Sequence, residues 1–190
     1  WLEELRLAGN KVLLWTDFLQ AENLPVDIIL DQTPVDNEAI YRQAGLAHTQ
    51  ILSGLQYAVL RDEFLDYPGI RRIRSTVENV LITFGGGDSP GGTLKVLNAL
   101  NCDSFDQHFD VVVGPANPRL KEIVSLSERL KNTEVHIATK DMAGLIARAD
   151  LAVSAAGASL WEFAYSGLPS IAMSIAAVSY THLTLPTIQP

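Results

Sequence analysis

Residues 141–169, DMAGLIARADLAVSAAGASLWEFAYSGLP, decide the fold. The run opens on a short helical pattern that ends at Ala149. An apolar strand over 151–155 passes into Ala155, Ala156, Gly157, Ala158 and Ser159, and a second helix then carries Glu162 near its start. Backbone amides at a helix N-terminus, with no bulky side chain before them, bind an anion. A carboxylate one turn further on accepts hydrogen bonds from a pair of sugar hydroxyls. Together they point to a nucleotide-sugar site, with amides for the diphosphate and Glu162 for the ribose.

The same alternation extends outward. Short β-rich apolar runs recur at 11–15, 27–30, 50–53, 79–84, 109–114, 134–138, 151–155 and 170–173. Between the later ones lie segments of helical period. Residues 91–101 set Leu94, Leu97 and Leu100 on one face, and 117–130 do the same with Leu120, Ile123, Val124, Leu126 and Leu130. Strands alternating with such helices predict right-handed βαβ units and a parallel sheet covered on both faces. The near-continuous apolarity of VLITF and VVVG fits strands buried on both sides. The expected fold class is α/β, a Rossmann-like parallel sheet.

The middle differs. Residues 54–68, GLQYAVLRDEFLDYP, are aromatic and charged, and 70–78 are basic without a strand pattern. This reads as an interdomain linker over 54–78, with Tyr57, Leu60 and Phe64 packing at i, i+3 and i+7. Before it, 1–53 hold three strands and about one helix, the remnant of an N-terminal Rossmann-like domain. After it, 79–177 form an incomplete C-terminal domain. Trp1 in place of Met, opening directly on a helix, suggests a chain cut from something longer. Residues 178–187, VSYTHLTLPT, resemble the in-frame translation of a transposon-end sequencing adapter. Residues 178–190, with His182, are therefore set aside as a read-through scar.

Composition excludes several classes. The 190 residues suit one large domain or two small ones, 47% apolar and only 19% charged, so much of the chain should be buried. A formal charge of −8 argues against nucleic-acid or anionic-membrane surfaces. The basic run Arg71-Arg72-Ile73-Arg74 reads as a solvated linker face. A lone cysteine, Cys102 at a helix end, excludes an internal disulfide and suits a reducing cytoplasm. No apolar run approaches the roughly 20 residues of a membrane helix.

Two further loops follow strands. Phe84-Gly85-Gly86-Gly87-Asp88-Ser89-Pro90-Gly91-Gly92-Thr93 lets backbone amides approach a phosphate with no Cβ in the way. It lacks the Gly-Lys-Ser/Thr of a P-loop and the spacing of the dinucleotide fingerprint. Asp88 reads as a helix cap before a substrate contact. Gly114-Pro115-Ala116-Asn117-Pro118 reads as a turn, with Pro at the first helical turn explaining it unaided. His48, His108 and His136 look isolated from one another and from any acid at ligand spacing, with His136 a surface or satisfied structural histidine. No paired carboxylates, nucleophile elbow or metal-ligand spacing stands out. Neither a catalytic residue nor a metal is assigned.

GGGD at 85–88, GPANP at 114–118, DMA at 141–143, ADLAVSAAGAS at 149–159, WEFAYSGLP at 161–169 and GLQYAVLRDEF at 54–64 resemble the UDP-sugar hydrolases of the pseudaminic-acid pathway. These are UDP-2,4-diacetamido-2,4,6-trideoxy-β-L-altropyranose hydrolases, relatives of spore-coat polysaccharide proteins. The resemblance runs over 54–177 and is looser over 1–53. More distantly, the second half is similar to the N-acetylglucosaminyltransferase that completes lipid II.

The resemblance implies a GT-B architecture, two Rossmann-like domains facing a cleft with UDP held mainly by the C-terminal one. It implies that Gly85, Gly86 and Gly87 line the diphosphate or sugar side and that Met142 with its backbone lies against uracil. It further implies that the amides of Gly157, Ala158 and Ser159 face the diphosphate and that Glu162 binds the ribose. No metal or cofactor is implied. The histidine that activates water in the family belongs to a loop expected before Trp1, so the chain as written is expected not to turn over substrate. The expected partner is a UDP-sugar in the cytoplasm. A GT-B glycosyltransferase with a UDP-sugar donor and a non-catalytic nucleotide-binding module are the alternative readings.

Overall fold

The structure, a computed structural model, describes residues 2–16, 24–33, 35–65, 74–88 and 90–173. Residues 178–190, set aside above, residues 174–177 of the expected C-terminal domain, and Arg71, Arg72 and Ile73 lie outside the described residues. Contacts divide the rest into two compact units, one up to Val59 and one from Leu60 on.

In the first unit, α1 (Leu2–Leu7) precedes β1 (Leu13–Trp15) and β2 (Ile28–Asp31), and α2 (Glu38–Gln43) leads into β3 (Gln50–Ser53). The three strands pair in parallel in the order β1-β2-β3. Ile29, Tyr41, Leu46 and Ile51 share a small core with Val12 and Val26. Two short helices occur here where the sequence suggested about one, because α2 presents only Tyr41 to the core and so carries little apolar period.

The second unit begins with a 3-10 turn, Asp62–Phe64. It continues through β4 (Asn79–Thr83), α3 (Gly92–Leu100), β5 (His108–Val113), α4 (Leu120–Ser127), β6 (Thr133–Ile137), α5 (Met142–Arg148), β7 (Leu151–Ala155), α6 (Ser159–Tyr165) and β8 (Ser170–Met173). All five strands are parallel, in the order β6-β5-β4-β7-β8. Side chains alternate across a strand, and each face takes its own helices. Val80, Ile82 and Phe84 pack with Leu94, Leu97 and Ile123 of α3 and α4. Leu81 and Ala152 pack with Leu145 and Ile146 of α5, Phe163 of α6 and Phe64. The chain is thus an α/β protein of Rossmann-like parallel sheets, as the alternation predicts.

Observed strand ends lie within two residues of the expected ones. The helix expected over 117–130 is shorter, because Asn117 and Pro118 sit in a turn and Arg119 is the N-cap; Pro118 precedes the helix instead of opening it. The i, i+3, i+7 reading of Tyr57, Leu60 and Phe64 is corrected. Separate 3-10 turns at Leu55–Tyr57 and Asp62–Phe64 replace a continuous helix. Phe64 is fully buried and Leu60 packs beside it, whereas Tyr57 is 37% exposed in the other unit.

Candidate functional site

The order β6-β5-β4-β7-β8 reverses direction beside β4. The chain leaves β4 toward β5 and β6 on one side and later fills β7 and β8 on the other. In open parallel sheets a ligand crevice forms at such a switch point, outside the carboxyl ends of the strands. Both small-residue loops lie there. Thr83 of β4 pairs with Ser154 of β7, so Gly85–Gly87 and Gly157–Ser159 emerge from adjacent strands at the same edge. Gly85, Gly86, Gly87, Gly157 and Ala158 are exposed. A side chain added at Gly157 would meet nothing within 4 Å.

Local chemistry explains the loop after β4. Gly85 has φ 78, and Asp88, at φ 37, also lies on the left-handed side. Asp88 is held by its carboxylate, which accepts from the Gly92 N–H at 2.7 Å and the Thr93 N–H at 2.9 Å, capping α3. It is a cap, as its position suggests. The loop after β5 closes against this one, since a Cβ on Gly114 would lie 2.2 Å from the Gly86 carbonyl oxygen. In that loop Asn117 Oδ1 accepts from the Arg119 N–H, while Nδ2 is buried without an acceptor among the described residues.

Glu162 is buried at the start of α6 and is already engaged. Arg61 Nε donates to Oε1 at 2.6 Å and Nη2 to Oε2 at 2.7 Å, a bidentate charge-assisted pair. This pairing raises the Arg61 pKa further above its ordinary value. Arg61 Nη1 also meets Glu63 Oε1 at 3.0 Å, and Glu63 Oε2 accepts from the Ala143 N–H in the first turn of α5. One short charged segment therefore ties down the starts of both α5 and α6. Asp141 caps α5 by accepting from the Gly144 N–H at 3.0 Å. Met142 as a whole residue is 3% exposed and belongs to the apolar core, whereas Asp141 before it is exposed.

The face shared by β5 and β6 corrects the reading of His108 and His136 as isolated from any acid, while His136, hydrogen-bonded to Asp110, is the satisfied structural histidine expected. Asp110, fully buried on β5, accepts from His136 Nε2 on β6 at 2.6 Å and from Arg148 Nε on α5 at 3.3 Å. His108 Nε2 lies 3.6 Å from the same Asp110 oxygen, and Glu134 Oε1 lies 3.8 Å from His136 Nδ1. Burial pushes the Asp110 pKa up, but the hydrogen bonds from His136 and Arg148 outweigh it and hold the carboxyl below its ordinary value. Nearby, Asp150 Oδ2 accepts from the N–H groups of Glu78 and Asn79, binding the starts of β7 and β4 together. Desolvation raises the Asp150 pKa, yet those two backbone donors leave it lowered.

Sequence reasoning missed Arg61 and the convergence on Asp110. Arg61 lies 101 residues from Glu162, and the one available signal was its place in the quoted GLQYAVLRDEF segment. The alternation His-x-Asp on one strand and Glu-x-His on the next was visible, but only strand register aligns them.

Fold and edge together define a Rossmann-like α/β protein with an exposed small-residue edge at its topological switch point. The chain is similar to the spore coat polysaccharide biosynthesis protein SpsG of Bacillus subtilis, 30% identical over 129 residues, covering 67% of this chain and 38% of that protein. It is also 29% identical over 126 residues to an uncharacterized protein of Methanocaldococcus jannaschii, covering 63% of this chain and 26% of the relative. The chain thus matches well under half the length of these curated relatives. A crystal structure of MurG from Acinetobacter baumannii aligns with TM-score 0.47 and 16% identity, over 92% of this chain and 49% of that one. No protein-family model matches the chain. Among the described residues no helix is long and apolar enough to cross a membrane.

Proposed function

We propose that this chain carries the UDP-binding half of a nucleotide-sugar hydrolase. The reaction releases UDP from a 2,4-diacetamido-2,4,6-trideoxy sugar in nonulosonic (pseudaminic) acid biosynthesis. The observation that carries this reading is the emergence of two exposed small-residue loops, at Gly85–Gly87 and Gly157–Ser159, from adjacent strands at the switch point. The similarity to a spore coat polysaccharide biosynthesis protein supports a place in glycan assembly.

In this reading the amides of both loops take the diphosphate, and the backbone beside Met142, at the exposed Asp141, lies against the uracil while Met142 supports it from the core. Glu162 accepts from the ribose hydroxyls with the lone pairs that Arg61 leaves open, since a carboxylate offers about four acceptor positions and the Arg61 fork takes two. Arg61 then works as a positioning residue that fixes the carboxylate in one rotamer. Residues 79–177 are the nucleotide-binding region, 54–78 the connection to it and 1–53 part of the sugar-facing domain. Binding energy from UDP positions the anomeric carbon, and amide donors stabilise the charge that grows on the diphosphate as the bond to the sugar breaks. No residue of this chain is assigned as the base.

Calorimetric titration of the chain with UDP tests this directly. Saturable one-to-one binding is expected, with UMP weaker and uridine weaker still, because each phosphate removed deletes amide contacts. Equal affinity for UDP and uridine would remove the diphosphate site. Titration with a UDP-sugar is expected to give the same stoichiometry and to compete with UDP.

A further inference from the structure

We propose that His108, Asp110 and Glu134 bind one divalent transition-metal ion of the zinc class, with His136 and Arg148 holding Asp110 in place. The site follows from register. Asp110 of β5 pairs with Glu134 of β6 in a parallel ladder, and residues two apart on a strand share a face. His108, Asp110, Glu134 and His136 therefore project from one face of two adjacent strands. One ligand atom from each of His108, Asp110 and Glu134 lies within 4.8 Å of the others.

Zinc bonds of about 2.0–2.1 Å in a tetrahedron need ligand atoms about 3.3 Å apart. His108 Nε2 and Asp110 Oδ1, at 3.6 Å, are already close to that spacing. The His108 and Glu134 side chains are 41% and 63% exposed, so both can turn the remaining distance without disturbing the core. Asp110, at 1%, cannot move and does not need to. His136 Nε2 at 2.6 Å and Arg148 Nη2 at 3.5 Å both donate to Oδ1, while Oδ2 accepts from Arg148 Nε at 3.3 Å, so the acceptor position these three hydrogen bonds leave open on Asp110 is on Oδ2. Hydrogen-bonded partners of this kind orient ligating carboxylates.

The donor set suits the ion. Imidazole with carboxylate oxygen favours zinc and its neighbours. With neutral imidazoles, Asp110, Glu134 and Arg148 leave the cluster one net negative charge for the cation to offset. Three protein ligands leave a fourth position for water. Asp110 lies four residues before Gly114, about 13 Å at the rise of a strand, so this site is separate from the glycine-lined edge and does not depend on the nucleotide reading. A bound ion would clip β6 to β5.

The test is equilibrium binding of Zn²⁺ to the chain against a competing chelator, with melting followed by circular dichroism. The expected result is one Zn²⁺ per chain, removable by EDTA, and a melting temperature raised by the metal. His108→Ala and Glu134→Gln, both at exposed side chains, should each weaken binding by at least about tenfold. The double variant should lose the thermal shift, while His48→Ala changes nothing. Absence of stoichiometric binding at excess zinc, or affinity insensitive to both variants, would overturn the proposal. So would loss of binding in His48→Ala.

Discussion

At the carboxyl end of the five-stranded sheet the chain presents Gly85, Gly86, Gly87, Gly157 and Ala158, all exposed. On one face of β5 and β6 in the same sheet, with α5 beside them, it gathers His108, Glu134, His136 and Arg148 around the buried Asp110 carboxylate. The first region offers backbone donors and open space, and the second offers side-chain lone pairs and fixed charge. Parallel strands make this division possible, since every strand ends at the same edge and donors can accumulate there. The teaching is that an anion-binding edge is written in missing side chains, whereas a cation-binding cluster is written in aligned ones.

The contrast can be broken most severely at Gly157. A side chain there meets open space, so Gly157→Asp should fold normally and melt like the parent. It sets a negative charge against the diphosphate, and UDP affinity measured by calorimetry should fall about a hundredfold, roughly 2.7 kcal/mol. Unchanged affinity would place the anion elsewhere.

Gly114→Ala is the steric counterpart. Its methyl would collide with the Gly86 backbone, not with a flexible side-chain tip. Overpacking of this kind costs about 1–3 kcal/mol, visible as a lower urea midpoint together with weaker UDP binding. Glu162→Gln sharpens the comparison within the carboxyl edge. It keeps the shape but removes one charge-assisted partner of Arg61, and UDP binding should weaken about tenfold, near 1.4 kcal/mol. Urea unfolding should show a parallel loss of stability, because the Arg61 pair anchors α6 in the absence of ligand.

The smallest effect is expected in the amino half, from Asp150→Asn. Replacing the carboxylate that accepts from the Glu78 and Asn79 N–H groups should cost about 1 kcal/mol at neutral pH. The folded-state pKa is lowered below the unfolded value of about 3.9. The parent's advantage is therefore fully present above that value and is lost as pH falls through the lower folded-state pKa. Urea midpoints of parent and variant should accordingly converge in acid and stay separated at pH 7. A gap that persists in acid would exclude the charge as its source.

Much of the fold was legible because it depends on local period. VLITF and VVVG announced strands buried on both faces, and Leu94 and Leu97 announced the helix face that covers one of them. The loop at 85–88 and the cap at Asp88 were readable for a similar reason, since a glycine run ends a strand and an acid just before a helix finds unpaired N–H groups within reach. Legibility failed where contacts are distant. The segment at 57–64 has apolar residues at helical spacing but folds as two separate 3-10 turns, because Phe64 is drawn into the core of α5 and α6 while Tyr57 is not. His136 looked solitary because 26 residues separate it from Asp110, and the nearness of His108 to Asp110, two residues on, gained meaning only when strand pairing brought His136 and Glu134 beside them.

The amino-acid order alone determined the alternation of strand and helix, the parallel class of the sheet, and the places where backbone is left bare. Those are consequences of short-range sterics and hydrophobic period. Tertiary structure decided which charges meet. Arg61 grips Glu162 because the start of α6 packs beside that turn, and Asp110 holds His136 because β5 and β6 pair in one register and no other. Pairing between distant carboxylates and cations depends on alignment within a few ångströms, which no local pattern of residues encodes.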